Sequence, residues 1–260
     1  MEADTRTQTI AALRAAGCVF AEEEAELLLA SARGAEELAA MVARRCAGEP
    51  VETVVGWVDF CGVRLTVDPG VFVPRRRTQV LARVAVAATR QGATVVELCC
   101  GAGAIAAVVA ASVTGVRLFA SDIDPAAVRC ARRNLAPYGV VPVVGDLFDA
   151  VPAAFAGAVD VLVANVPYVP SAAVAYLPAE AREHEPRIAL DGGADGLDVL
   201  RRIATAAPHW LAPGGSLMVE TSLEQAGTAS TVMTESGLRP DLVCDDDLEV
   251  AVVIGRAQSS

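Results

Sequence analysis

The feature that most constrains this chain is a succession of short, apolar, β-rich runs: Thr94 to Leu98, Arg117 to Ala120, Val140 to Val144 and Val159 to Ala164, each followed by a helical stretch. Strands buried on both faces read as continuous hydrophobic runs, and parallel neighbours need a crossover helix between them. The pattern predicts a parallel, doubly wound α/β sheet. A fifth strand is expected at Ser216 to Glu220, after the turn Ala212-Pro213-Gly214-Gly215. Beyond a helix from about Leu223 to Glu235, Pro240 to Cys244 and Glu249 to Ile254 read as a hairpin, and the acidic run Asp245-Asp246-Asp247 as its solvated turn.

The first part of the chain has a different period. From Thr7 to about Ala47, Leu13, Leu27, Leu28, Leu29, Leu38, Met41 and Val42 recur near helical spacing, with Gly17 and Gly34 marking off short helices. After Gly48-Glu49-Pro50, Val54, Gly56, Val58 and Phe60 alternate, and Val63, Leu65 and Val67 follow across Cys61-Gly62, as in a β-hairpin. Asp68-Pro69-Gly70 and Pro74 then break the chain before a helix from about Thr78 to Thr89. These changes of period divide it into a helical region (1–50), a linking β-hairpin (51–75) and an α/β domain (76–260), which suits a length of 260 residues.

Charge narrows the partners. A net charge of −11 repels a phosphate backbone, and the only dense basic run is Arg75-Arg76-Arg77, so no nucleic-acid partner is expected. The seven Cys include no CxxC pair and no secretory segment precedes them, which points to a reduced, cytoplasmic compartment. Apolar stretches such as Ala104 to Ala111 are too short for a bilayer, so no membrane role is expected. His184 and His209 do not stand at metal-ligand spacing, so no metal site is expected.

The chemistry is concentrated at strand ends. In Glu97-Leu98-Cys99-Cys100-Gly101-Ala102-Gly103-Ala104-Ile105 a strand runs into a Gly-rich turn and a helix, which lets backbone N–H groups approach a nucleotide-type ligand. Taken alone, Gly101 to Ala106 also fits the GxGxxA dinucleotide fingerprint with Asp122 on a ribose, which keeps a nicotinamide oxidoreductase open. Glu97 tilts the balance, because a carboxylate at this turn attracts an ammonium and repels a pyrophosphate. Asp146, followed by Leu147 and Phe148, suits an exocyclic amine on a flat ring. S-adenosylmethionine carries both groups. Each carboxylate singly could be a helix cap; all three at carboxyl ends of strands, where open sheets bind ligands, favour the cofactor.

The fourth run ends in Asn165-Val166-Pro167-Tyr168. A side-chain oxygen, a main-chain carbonyl and an aromatic face there can take both N–H bonds of a planar NH₂ group and leave its lone pair free for methyl transfer.

With these motifs the chain resembles the HemK-like protein-(glutamine-N5) methyltransferases, class I enzymes that use S-adenosylmethionine, and reads as a divergent paralogue of the release factor enzymes. The likeness runs from Gly48-Glu49-Pro50 through Val67 to Arg75, the Gly-rich turn, Asp122-Ile123-Asp124-Pro125 and Asn165 to Tyr168. It continues in Glu185-Pro186-Arg187-Ile188-Ala189-Leu190-Asp191-Gly192-Gly193, Asp195 to Asp198, Pro213-Gly214-Gly215, Glu220 and Gln225. The resemblance implies a Rossmann-like seven-stranded sheet and methyl transfer to the amide of a protein glutamine, which in the family lies in the GGQ loop of peptide chain release factors. Carried over, Glu97, Gly101 and Gly103 would face the methionine part, Asp122 with Ile123 the ribose, Asp146 and Leu147 the adenine. Asn165 and the Val166 carbonyl would hold the glutamine amide, and Pro167 and Tyr168 would shape its slot. Three positions depart from the family: Val166 replaces the first Pro of NPPY, Pro74-Arg75-Arg76-Arg77-Thr78 replaces PRPET, and Cys99 replaces a Gly. They leave open a different planar nitrogen, on a small molecule or nucleobase, and a non-catalytic binding module.

Overall fold

The computed structural model describes residues 2–258. Helices α1 (Glu2–Ala15), α2 (Ala21–Ser31), α3 (Ala35–Cys46) and α4 (Val51–Val55) come first. They bury Leu13, Ala21, Ala25, Leu28, Leu38 and Val54 in a core of their own. The stretch from Val51, expected to lead into a hairpin, is helical instead. Pro50 precedes the turn, Gly56 ends it at φ +83°, and Val54 reaches the helical core, so tertiary burial overrides the alternating pattern. The hairpin is confined to β1 (Trp57–Phe60) and β2 (Val63–Thr66). Its tip, Cys61-Gly62, has positive φ at both residues (51° and 77°), as a two-residue hairpin turn demands.

There follow α5 (Thr78–Ala88), β3 (Thr94–Leu98), α6 (Ala104–Ser112), β4 (Arg117–Asp122), α7 (Pro125–Leu135), β5 (Val143–Val144), β6 (Val159–Ala164), α8 (Ala179–His184), α9 (Asp198–Trp210), β7 (Leu211–Thr221), α10 (Ala226–Glu235), β8 (Arg239–Asp245) and β9 (Val250–Arg256). The strands form a seven-stranded sheet in the order β5-β4-β3-β6-β7-β9-β8, parallel from β5 to β7 and antiparallel through β9 and β8. The expected strand from Val140 shrinks to β5, an edge strand whose Val144 is half exposed and so has little to gain from longer pairing. Conversely, β7 starts at Leu211: the turn 212–215 is a bulge between the pairs Val159–Leu211 and Val161–Ser216.

Helices cover both faces. Val80, Leu81, Ile105, Val109, Ala131 and Leu135 of α5 to α7 pack with Phe60 and Leu65 of the hairpin on one side. Leu200, Ile203, Ala229 and Met233 of α9 and α10 fill the other. Asn134 ties the hairpin to the Gly-rich turn: its Oδ1 accepts from Thr66 N–H at 2.8 Å, and its Nδ2 donates to the carbonyls of Thr66 (2.9 Å) and Ala102 (2.8 Å). The order of strand addition reverses at β3, with β4 on one side and β6 on the other, which opens a crevice at the carboxyl ends of these parallel strands.

Candidate active site

That crevice is one cleft. Glu97, Gly101, Asp122 and Ile123 line one part of it, and Asn165, Val166, Pro167 and Tyr168 line another. Phe72, Arg77, Thr78, Ile188 and Leu190 close the rim. Eight sequence-selected residues thus share one cavity, and Gly103, Asp146 and Leu147 do not line it. Gly103, at φ +76°, opens α6, and a Cβ there would meet Leu135 at 3.1 Å and Ala131 at 3.2 Å, so its missing side chain serves the α6–α7 contact. Leu147 is buried in the core beneath α9, and Phe148, expected against a flat ligand ring, is stacked on Trp210 at 5.3 Å. Asp146 Oδ2 accepts from Arg202 at 2.8 Å, while its charge is felt at Cys99 in the turn.

The carboxylates partly serve as caps. Glu97, only 2% exposed at the end of β3, accepts from the Ala106 N–H at 2.8 Å, and burial pushes its carboxyl up to about 8 against the opposing backbone hydrogen bonds. Asp122 braces the turn, with Oδ2 on the Gly101 N–H (2.8 Å) and Oδ1 on the Asp124 N–H (2.9 Å); its carboxyl is likewise raised by burial. Burial also holds the Cys99 and Cys100 thiols well up, so neither offers a thiolate.

The part of the cleft lined by Asn165 to Tyr168 is built by hydrogen bonds from distant segments. Asn165 Nδ2 donates to Thr78 Oγ1 at 3.3 Å. Among the described residues nothing donates to Asn165 Oδ1 or to the Val166 carbonyl. The Tyr168 hydroxyl donates to Glu220 Oε1 at 3.1 Å, and burial followed by the Glu220 charge raises its phenol. Gln225 Nε2 donates to the carbonyls of Tyr168 (3.0 Å) and Asp195 (2.9 Å), joining the β6 tip to the loop after α8. That loop comes so close that a Cβ on Gly192 would lie 2.5 Å from the Pro167 carbonyl oxygen, and one on Gly196 2.2 Å from that of Tyr168. Glu185, buried, accepts from the Val73 N–H (3.2 Å) and Arg75 (2.6 Å), which draws the rim segment 72–78 against the same loop. Thr78, Glu220 and Gln225 thus adjoin these residues in a way that strand patterning alone does not reveal; only their place in the family motifs marked them.

The donor set fits S-adenosylmethionine. Glu97 is a buried carboxyl with backbone donors and, among the described residues, no cation beside it, which suits an ammonium. The Cβ direction of Gly101 is open, so the turn leaves room for a ligand against its backbone.

Comparison with known proteins bears on the chemistry. The Methyltransferase small domain family matches residues 62–181. A release factor glutamine methyltransferase of Geobacter sulfurreducens is 37% identical over 225 residues, covering 85% of this chain and 78% of that protein. A 4-amino-L-phenylalanine/4-methylamino-L-phenylalanine methyltransferase of Streptomyces pristinaespiralis is 38% identical over 203 residues, 75% of this chain and 69% of that protein. The crystal structure of a methyltransferase from Pyrococcus furiosus shares the fold, with a TM-score of 0.58 at 17% identity over 83% of this chain and 97% of that one. Identity of this extent, over a chain whose cofactor turn and strand-tip Asn165 open into one cleft, settles the kinship: the protein is an S-adenosylmethionine-dependent methyltransferase and belongs to the release factor glutamine methyltransferase family.

Proposed function

We propose that the chain methylates the side-chain amide nitrogen of a glutamine in a protein, with a peptide chain release factor as partner, in the cytoplasm. The observation that carries this reading is the pair of unclaimed acceptors at the tip of β6. Asn165 commits its nitrogen to Thr78, which leaves Oδ1 and the neighbouring Val166 carbonyl for the two N–H bonds of a primary amide. An amide nitrogen is a poor nucleophile because its lone pair is delocalised into the carbonyl. Accepting both N–H bonds orients that nitrogen and raises its electron density without a strong base. Pro167 and Tyr168 wall the slot, where loss of water strengthens both bonds.

The cofactor reading assigns the ammonium to Glu97, the methionine chain to the turn of Gly101 and Gly103, and the ribose hydroxyls to Asp122 beside Ile123. Asp146 Oδ1, the oxygen not held by Arg202, and Leu147 take the adenine, and Asn165 borders both ligands. Bound there, S-adenosylmethionine supplies an electrophilic methyl group on a sulfonium. The helical region before Pro50 is assigned to docking of the protein substrate.

Incubation with isotopically labelled S-adenosylmethionine and a release factor, followed by mass-spectrometric location of the label, tests the reading. Label on a glutamine amide supports it, and label only on other residues overturns it. Asn165→Ala should lower turnover by roughly 10², the scale for deleting one preorganised hydrogen-bonding group, and leave cofactor affinity unchanged.

Arg77 favours a second reading. It lines the cleft over the Tyr168 ring, at 5.6 Å, and its terminal nitrogens make no hydrogen bond among the described residues. A guanidinium in this position suits an acceptor that carries a carboxylate, as the amino acid named for the Streptomyces relative does. Transfer to 4-amino-L-phenylalanine in preference to a release factor, lost in Arg77→Gln, would establish it.

A further inference from the structure

We infer that Glu220 and Thr78 are positioning residues that fix the polarity of the Asn165 side chain, so that its oxygen and not its nitrogen faces the methyl acceptor. The inference rests on Asn165 acting as the clamp for the acceptor's NH₂ group. The two ends of an Asn amide are nearly equal in shape, and the wrong end would present N–H groups to N–H groups. Something must choose between them. The Thr78 hydroxyl cannot do so alone, because it can donate or accept.

The choice is made one residue further away. Glu220, near the end of β7, is 1% exposed, and a carboxylate only accepts. Its Oε1 takes the Tyr168 hydroxyl at 3.1 Å and lies 3.6 Å from Arg77 Nε, whose positive charge favours the ionised form. Its Oε2 is buried with no donor among the described residues. Burial pushes this carboxyl up, and the neighbouring Thr78, Arg77 and Tyr168 side chains hold it down. Thr78 follows Arg77 in the chain, and the unfilled Oε2 is the acceptor left for its hydroxyl proton; once that proton turns to Glu220, Thr78 can only accept from Asn165, which matches the Asn165 Nδ2 contact at 3.3 Å. Asn165 Oδ1 is then turned the other way. The same carboxyl group accepts from the Tyr168 hydroxyl in the wall of the slot, so one buried acceptor orders both sides of the acceptor site.

Three variants separate this relay from mere packing. Glu220→Gln keeps the shape but adds N–H donors that can reverse the Thr78 hydroxyl; Thr78→Val keeps the volume and removes the hydroxyl; Thr78→Ser restores it. In steady-state assays on the identified acceptor, the first two should lower kcat at least tenfold with S-adenosylmethionine affinity and Tm near wild type. Thr78→Ser should recover most of the turnover, and the Glu220→Gln/Thr78→Val double variant should be no worse than either single by more than about twofold, because both break one relay. Independently of turnover, NMR of the Asn165 side-chain amide should show a proton slow to exchange in the wild-type protein and fast in Thr78→Val. Wild-type kcat in both Glu220→Gln and Thr78→Val, with a strong loss in Asn165→Ala, overturns the relay and leaves the clamp standing. Normal turnover in Asn165→Ala overturns the clamp, and the relay falls with it.

Discussion

Replacing Glu97 by Gln tests the cofactor site through a proton count. With a carboxyl raised to about 8 by burial, Glu97 in the free protein at pH 7 is about 0.9 protonated, because the protonated fraction one unit below the pKa is 10/11. An ammonium placed against it favours the ionised form, so binding must expel that proton. Titration calorimetry at pH 7 in buffers of differing ionisation enthalpy should therefore show about 0.9 proton released per S-adenosylmethionine. Between pH 6 and 7 affinity should rise nearly tenfold, again the consequence of about one proton lost on binding. S-adenosylhomocysteine, which keeps the ammonium and lacks the sulfonium, should release the same number. Glu97→Gln should bind more weakly, release none, and show an affinity flat across that range. Proton release that persists in Glu97→Gln would place the titrating group elsewhere, with Asp122 the next candidate, and would refute the argument. Stability carries the same sign. A carboxyl raised in the folded state contributes most below its unfolded value of 4.5, and the contribution is lost as pH rises through about 8, so the cofactor-free enzyme should soften over that interval and saturating cofactor should offset the loss.

Asp122→Ala should weaken S-adenosylmethionine at least tenfold in calorimetry, since it removes charged acceptors worth about 1.5 to 3 kcal/mol each; unchanged affinity would remove Asp122 from the site. Val166→Pro should keep turnover within a few-fold, because the Val166 N–H donates to no backbone acceptor among the described residues and the carbonyl is retained; loss of activity with intact folding would show that the carbonyl is not the working part. Gly196→Ala should lower Tm and turnover together, at a cost of about 1 to 3 kcal/mol, because its Cβ would fall 2.2 Å from the Tyr168 carbonyl oxygen at a φ of +83°. A variant with wild-type Tm would mean that the loop yields freely.

Much of the site lies close to strand ends in the sequence, and this is why it can be read there. Glu97, Asp122 and Asn165 each follow an apolar run, and a parallel sheet built by crossover helices necessarily brings the carboxyl ends of β3, β4 and β6 to one edge. Periodicity and the Gly-rich turn therefore sufficed to bring Glu97, Asp122 and Asn165 to one cleft. They did not reveal that Asp146 lies outside the cleft lining with one carboxylate oxygen held by Arg202 of α9. Nor could periodicity reveal that residues 51–55 coil into a helix, since the decisive contact is Val54 against a helical core some tens of residues upstream.

The sequence by itself determined the fold class, the order of strands and helices and the identity of the groups at the strand tips, all of which depend on local pattern. What only the tertiary structure decided is which way those groups face and what holds them there. Thr78, Glu220 and Gln225 reach Asn165 and Tyr168 from segments 52 to 87 residues distant, through hydrogen bonds whose direction depends on burial and on which partner carries a proton. No periodicity encodes such contacts, because each exists only after the sheet has closed and water has left the site.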